Sequence, residues 1–165
     1  MSMLPDKALT PDKALARCEA LCVRGEQSTA DIAAKLSKWG ISREDSQKIL
    51  QRLIDGKDVD DARYARAYVR DKFRFSGWGR VKIAYNLRLK GIDSDVIACA
   101  LEEIEADEYR EKLEHLVRAK YREVKSREPV RARAALLRFA AGRGFESQLS
   151  VSAVNRVTGE YPDDE

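Results

Sequence analysis

Apolar residues recur at three- and four-residue spacing on either side of three glycines, Gly40, Gly91 and Gly144, which lie 51 and 53 residues apart. Side chains at this spacing share one face of a helix, so each glycine predicts a turn between two amphipathic helices. The pattern occurs three times, which predicts a repeat protein. The aligned apolar positions are Ile32, Ile83 and Leu136 before the glycine, and Leu50, Leu101, Val154, Leu53, Ile104 and Val157 after it.

Each predicted turn contains residues suited to ending one helix and starting the next. Glycine adopts the left-handed conformation at a helix end without steric cost. Two residues later a short polar side chain is placed to cap the following helix; Ser42 and Asp93 are good caps and Glu146 is a poorer one. A further helix precedes each pair, over residues 13–24, 61–75 and 107–127, and Pro129 suits the first turn of the helix after the last of these.

No segment alternates polar and apolar residues between hairpin turns, as a strand would. We therefore predict an all-α fold: three tandem three-helix units, helix-turn-helix-like, that form an elongated, curved array. The predicted units cover residues 1–57, 58–106 and 107–158, and residues 159–165 form an acidic tail.

Composition is consistent with a folded protein outside membranes. The 165 residues are 44% hydrophobic and 36% charged, which provides a core without the charge imbalance of a disordered chain. No apolar run is long enough to span a bilayer, and residues 1–13 lack the apolar stretch of a signal peptide, so we expect a cytoplasmic location. The odd cysteine count and the single histidine, His115, predict neither a disulfide framework nor a metal site, and no cofactor is expected.

The small net charge of +3 conceals strong segregation along the chain. Residues 63–90 and 115–143 are basic blocks, and residues 93–114 between them are mainly acidic. Such blocks predict a partner with patterned charge or a phosphate backbone.

The middle unit carries the most distinctive motifs: D-D-A-R-Y-A from residue 60, G-W-G-R-V-K-I from residue 77 and L-R-L-K-G-I from residue 87. These motifs resemble those of the RecX family of bacterial regulators of the RecA recombinase. The resemblance is close over the middle unit, weak around residues 36–41 and loose over residues 139–145. In that last segment Gly142 departs from the pattern, and we expect it to let the unit's helix end early.

The resemblance implies a partner and an activity. The partner would be the RecA–single-stranded-DNA filament, and the protein would lodge in its groove as a negative regulator of ATPase, strand-exchange and coprotease activity. It would thereby act in recombination, DNA repair and the SOS response. Single- or double-stranded DNA, bound without sequence preference, would be a further partner. A monomer is expected, with no membrane or small-molecule substrate.

Most of the signature residues have a structural interpretation. Asp60 or Asp61 would cap a helix, the tyrosines would face the core, and the two glycines around residue 78 would permit a tight turn. Trp78 would pack as a lid on its unit, or alternatively project as a contact aromatic. The full set is Asp60, Asp61, Tyr64, Ala65, Tyr68, Gly77, Trp78, Gly79, Ile83, Leu87, Gly91 and Ile92.

The candidate partner-binding residues are the basic side chains outside this set. Four arginines lie within about 80° of arc on one helix, opposite the tyrosines. Asp71 is the one acid near them on that helix, so we expect most of the stripe to be unpaired. The stripe comprises Arg63, Arg66, Arg70 and Arg74, and the further candidates are Arg80, Lys82, Arg88, Lys90, Arg118, Arg122, Lys125, Arg131 and Arg138.

The helix that follows the stripe has a second apolar face, formed by Val81, Tyr85 and Leu89. We expect this face to meet a neighbouring unit; the alternative is contact with a partner.

Two other classes of function compete with that of a filament regulator. A tandem helix-turn-helix protein that binds nucleic acid with little sequence specificity is the alternative, although the helix after the turn in unit two has Asp93, Asp95, Glu102 and Glu103 on or beside it and no base. An enzyme is not expected, because the chain lacks a Gly-rich phosphate loop, a zinc-ligand pair and a nucleophile–histidine pairing.

Overall fold

A computed structural model describes residues 9–159, and this part of the chain forms nine helices and no strand. The proposed acidic tail lies outside the described residues, except for Gly159. The helices are α1 (Pro11–Arg24), α2 (Thr29–Lys38), α3 (Arg43–Asp55), α4 (Asp61–Arg74), α5 (Arg80–Leu89), α6 (Ser94–Leu101), α7 (Ala106–Val124), α8 (Pro129–Gly142) and α9 (Ser147–Thr158).

The helices pack in threes along the chain. Helices α1 and α2 pack on α3, helices α4 to α6 pack on one another, and so do α7 to α9. The prediction of an all-α fold with three tandem three-helix units is therefore confirmed. Pro129 is the first residue of α8, as its lack of an amide hydrogen favours.

The three glycine turns have the expected conformation. Gly40, Gly91 and Gly144 have φ angles of +77°, +77° and +87°, in the left-handed region that favours glycine. Each lies two residues beyond the end of its helix. The expectation that Gly142 ends α8 early is wrong: α8 runs through Gly142 and stops at the same distance from its turn glycine as α2 and α5 do.

The predicted caps form at some helix starts and not at others. Ser42 Oγ accepts a hydrogen bond from the amide of Asp45 at 3.2 Å, and Asp60 accepts one from the amide of Arg63 at 3.1 Å. The prediction for Asp93 is wrong, since its side chain makes no capping hydrogen bond. Asp61 instead accepts a hydrogen bond from the amide of Thr29 at 2.8 Å, which caps α2 from another unit.

The buried side chains form two clusters rather than three. One cluster runs through α4 to α9, so units two and three share a core. Its centre contains Tyr109, whose ring centroid lies 5.8 Å from that of Phe73 and 5.1 Å from that of Phe145. The other cluster belongs to α1–α3 and includes Val59, which precedes α4. Unit one is therefore a body with its own core, and units two and three form a second.

Candidate partner-binding surface

The first arginine of the predicted stripe on α4 connects two units. Arg63 Nε lies 2.5 Å from Glu26 Oε1, in the loop between α1 and α2, and Arg63 also donates a hydrogen bond to the carbonyl oxygen of Asp58. The hydrogen bond to Glu26 raises the pKa of Arg63 above its ordinary value. Arg63 thus contributes to the junction between units one and two.

Two further arginines of the stripe pair with acids on other helices. Arg66 Nε lies 3.5 Å from Glu103, just beyond α6, and Arg74 Nε lies 3.8 Å from Glu108 on α7. Both pairs are partly exposed and contribute little to stability. The expectation of an unpaired stripe is therefore wrong for three of its four members, because their partners come from other elements. Arg70 is exposed and forms no ion pair within residues 9–159.

Arg80, another candidate, lies in the junction of units two and three. Its guanidinium nitrogen is 2.9 Å from Glu146 Oε2, and its Cζ is 3.8 Å from the centroid of the Tyr109 ring. The Arg80 amide donates to the Tyr109 hydroxyl at 3.0 Å, and that hydroxyl in turn donates to Glu146. The sequence did not predict this junction role of Arg80, because its pattern indicates only a helix cap at Glu146.

Trp78 and two lysines form a half-buried group at the same junction. Trp78 packs against the shared core, as expected for a lid. The ammonium groups of Lys72 and Lys82 lie 4.6 Å and 4.5 Å from the centroid of its ring, within cation–π range. Lys90 faces the other junction, where its ammonium is 3.8 Å from Asp31 of α2.

In unit three some candidates pair with an acid three or four residues earlier in the chain. Arg118 contacts Glu114 at 3.0 Å, and Arg131 contacts Glu128 at 3.8 Å. The others are exposed and form no ion pair with any residue from 9 to 159, as is also true of Arg88 on α5. We call the resulting set the free cations: Arg70, Arg88, Arg122, Lys125 and Arg138.

The second apolar face of α5 meets no neighbouring unit. Val81, Tyr85 and Leu89, which we call the α5 stripe, are 53%, 56% and 68% exposed. The expectation that a neighbouring unit covers this face is wrong, since α5 packs on α4 and α6 through the opposite face, with Ile83 and Leu87.

Residues 9 to 159 contain no group of three or more His, Cys, Asp or Glu side chains placed to hold a metal ion. None of the described helices is both long enough and apolar enough to cross a membrane. A cleft of about 760 Å³ between α1 and α3 is lined mainly by charged side chains, including Glu19, Lys48 and Asp55.

These features define a tandem three-helix-repeat protein whose candidate site is an open surface of basic and apolar side chains. The family model described as the second three-helix domain of RecX matches residues 60–101. The chain is 31% identical to the regulatory protein RecX of Mycobacterium sp. (strain KMS), covering 94% of this chain and 90% of that protein. It is 32% identical to the RecX of Stenotrophomonas maltophilia, covering 90% and 86%. The chain belongs to the RecX family of regulatory proteins.

Solved structures of this family share the fold. The crystal structure of RecX from Lactobacillus salivarius matches with a TM-score of 0.83 at 20% identity, covering 90% of this chain and 96% of that one. A second crystal structure of a regulatory protein RecX matches with a TM-score of 0.79 at 24% identity, covering 92% and 72%.

Proposed function

We propose that this protein is a negative regulator of RecA that binds in the groove of the RecA–single-stranded-DNA filament. There it inhibits the ATPase, strand-exchange and coprotease activities, and so acts in recombination, DNA repair and the SOS response. It works in the cytoplasm as a monomer. The observation that carries the proposal is the 31% identity to a regulatory protein RecX over 94% of the chain.

The free cations support this proposal. A filament groove offers both acidic protein surface and DNA phosphates, and arginine forms charge-assisted hydrogen bonds with carboxylate and phosphate alike. Among residues 9–159, no acid pairs with any of these five side chains, so none has to be displaced on binding: Arg70, Arg88, Arg122, Lys125 and Arg138. Their positions on α4, α5, α7 and α8, with Lys125 just beyond α7, distribute positive charge over units two and three.

A nucleic-acid-binding protein with little sequence specificity is the competing function. In a helix-turn-helix protein the helix after the turn approaches the phosphates. In unit two that helix is α6, which contains Asp95 and neither Lys nor Arg, and Glu102 and Glu103 follow it directly. Phosphate would repel this end of the unit, and this charge pattern favours the filament over bare DNA.

The proposal is tested by RecA's single-stranded-DNA-dependent ATPase with this protein at substoichiometric ratio. We expect suppression of ATP hydrolysis, and tighter binding to the filament than to bare single-stranded or duplex DNA. Unchanged ATPase together with equally tight binding to bare DNA would favour the nucleic-acid-binding alternative. A preference of about three orders of magnitude for one duplex over its scrambled version would indicate sequence-specific readout instead.

Charge reversal locates the contribution of the free cations. A variant with Arg70→Glu, Arg122→Glu and Arg138→Glu should bind the filament at least about tenfold more weakly, because a charge-assisted hydrogen bond contributes about 1.5–3 kcal/mol. Helicity and melting temperature should stay close to wild type. The matched control reverses three exposed cations of unit one, with Lys13→Glu, Arg24→Glu and Arg43→Glu. Equal losses in both variants would mean that net charge alone, rather than these positions, drives binding.

A further inference from the structure

The α5 stripe is not required by the three-helix fold, as the repeat itself demonstrates. Aligned on the turn glycines, the positions of Val81, Tyr85 and Leu89 are occupied in α2 by Ala30, Ala34 and Lys38, and in α8 by Ala134, Arg138 and Gly142. Those two units therefore fold with small or polar residues there. In the described part of the chain, bulky apolar side chains spaced four apart and more than half exposed occur on this helix of unit two alone.

The charges around the stripe define the partner that fits it. Helix α5 contains no Asp or Glu. Arg88, one of the free cations, lies on the same outward side as Val81 and Tyr85, and Lys82 borders that side. An apolar strip with a basic border complements a protein ridge of aliphatic side chains bordered by carboxylates.

Two other occupants fit less well. A second copy of this chain, docked α5 to α5, would bring Arg88 and Lys82 of the two copies together as like charges. Nucleic acid would find a single stacking platform, Tyr85, flanked by Val81 and Leu89, which offer neither a polar group for phosphates or base edges nor an aromatic face for a second base. The surface is therefore shaped for another protein.

We propose that the α5 stripe, with Arg88, docks onto the protein component of the filament, on an apolar ridge edged by acidic side chains. This inference rests on the proposed function and assigns the part of the molecule that meets protein rather than DNA. Tyr85 and Arg88 are the anchors, because tyrosine and arginine supply large, partly apolar contact areas and dominate many interfaces. Three side chains form only the centre of an interface, and Arg88 adds a charged side chain beside them on the same helix.

The test compares two full-length triple variants in co-sedimentation with RecA filaments on single-stranded DNA. The first removes the stripe with Val81→Gln, Tyr85→Gln and Leu89→Gln, in which glutamine preserves helix propensity. The control removes three exposed apolar side chains elsewhere, with Val23→Gln, Phe75→Gln and Val130→Gln, which are 87%, 85% and 74% exposed. Circular dichroism and thermal melting establish that both variants fold.

We expect the stripe variant to bind the filament about tenfold or more weakly, with bare-DNA binding unchanged, and the control to bind like wild type. If wild type binds and the stripe variant binds equally well, the docking inference fails and the proposed function stands. An equal loss on bare DNA would assign the stripe to nucleic acid, and a wild-type dimer that the stripe variant abolishes would assign it to a second copy. If wild type does not bind the filament, the proposed function fails and this inference with it.

Discussion

At the scale of single residues, one buried hydroxyl connects units two and three. Tyr109 on α7 donates to Glu146 at the start of α9 and accepts from the amide of Arg80 at the start of α5. The guanidinium of Arg80 closes the group through its 2.9 Å contact with Glu146. Tyr109 itself is fully buried within the shared core. Its hydroxyl therefore gives Glu146 a second partner besides Arg80 and accepts the hydrogen bond of the Arg80 amide.

Removal of this hydroxyl should destabilise the fold. Tyr109→Phe keeps the ring in place and leaves Glu146 and the Arg80 amide each short of one partner, which typically costs about 1–3 kcal/mol. Urea unfolding followed by circular dichroism measures the loss. Tyr85→Phe is the matched control, because its hydroxyl is exposed on α5, and its midpoint should match wild type. Equal midpoints for all three proteins would contradict a structural role for the hydroxyl.

Tyr109 also makes the free energy of unfolding depend on pH in the alkaline range. Burial, and then the hydrogen bond to Glu146, raise the pKa of Tyr109 above its ordinary value of 10.0. The tyrosine hydroxyl therefore loses its proton at a lower pH in the unfolded chain than in the folded one. Its contribution to the free energy of unfolding is complete below pH about 10 and is lost as the pH rises above that value. The urea midpoint of wild type should therefore fall more steeply above pH about 10 than that of Tyr109→Phe. Parallel declines would show that other groups, such as the buried Cys18 thiol, cause the whole loss.

At the scale of secondary-structure elements, two loops meet backbone to backbone. The amide of Gly79 donates to the carbonyl oxygen of Arg143 at 2.7 Å, and the amide of Val81 donates to that of Gly144 at 3.0 Å. A Cβ atom on Gly79 would lie 2.4 Å from the Gly144 oxygen. The start of α5 therefore docks against the turn between α8 and α9, and only glycine permits this approach.

A methyl group at this contact should separate the two elements. Gly79 has φ −84°, which alanine adopts without strain, so Gly79→Ala tests the close approach alone. We expect a loss of about 1–3 kcal/mol in unfolding free energy, as for other overpacked sites. Gly142→Ala is the matched control: nothing lies within 4 Å of its added Cβ, and alanine in a helix should stabilise by about 0.5–1 kcal/mol. If Gly79→Ala had the same unfolding free energy as wild type, the two segments would have to shift apart without cost.

At the scale of the whole molecule, the two junctions between units differ in kind. Units two and three share one apolar cluster, whereas the cluster of unit one takes in only Val59 from beyond its own helices. Polar contacts cross to unit one: Arg63 with Glu26, Lys90 with Asp31, and the Asp61 cap on Thr29. Ion pairs that are partly exposed weaken in salt, and apolar burial does not. Unit one is therefore joined by the more salt-sensitive junction.

This difference predicts two separable unfolding transitions. The two tryptophans of the sequence report on different bodies, Trp39 on unit one and Trp78 on units two and three. In urea, variants that keep one tryptophan each (Trp78→Phe and Trp39→Phe) should unfold at different midpoints. The separation should widen at about 1 M salt, where charges are screened beyond about 3 Å. Coincident midpoints at both salt concentrations would show that all three units unfold as one.

Much of this protein is determined by the sequence alone. The period of the apolar residues predicts the nine helices found within residues 9–159, and the turn glycines set where α2, α5 and α8 end. Both effects act within a few residues along the chain. The signature motifs around α4 and α5 indicate the family from the sequence as well, because each is a short run of neighbouring residues. Local chemistry also explains why Ser42 and Asp60 cap their helices.

The tertiary structure alone decides which charged residues are available. Arg63, Arg66, Arg70 and Arg74 look alike along α4, and Arg70 differs because no acid among residues 9–159 pairs with it. The sequence predicts Arg80 as a surface cation, whereas in the fold it contacts Tyr109 and Glu146. The sequence also predicts that the α5 stripe contacts a neighbouring unit, whereas the packing leaves it exposed. Each outcome depends on residues 29 or more positions away along the chain or on contacts that did not form. Periodicity carries no information about which faces of distant helices meet.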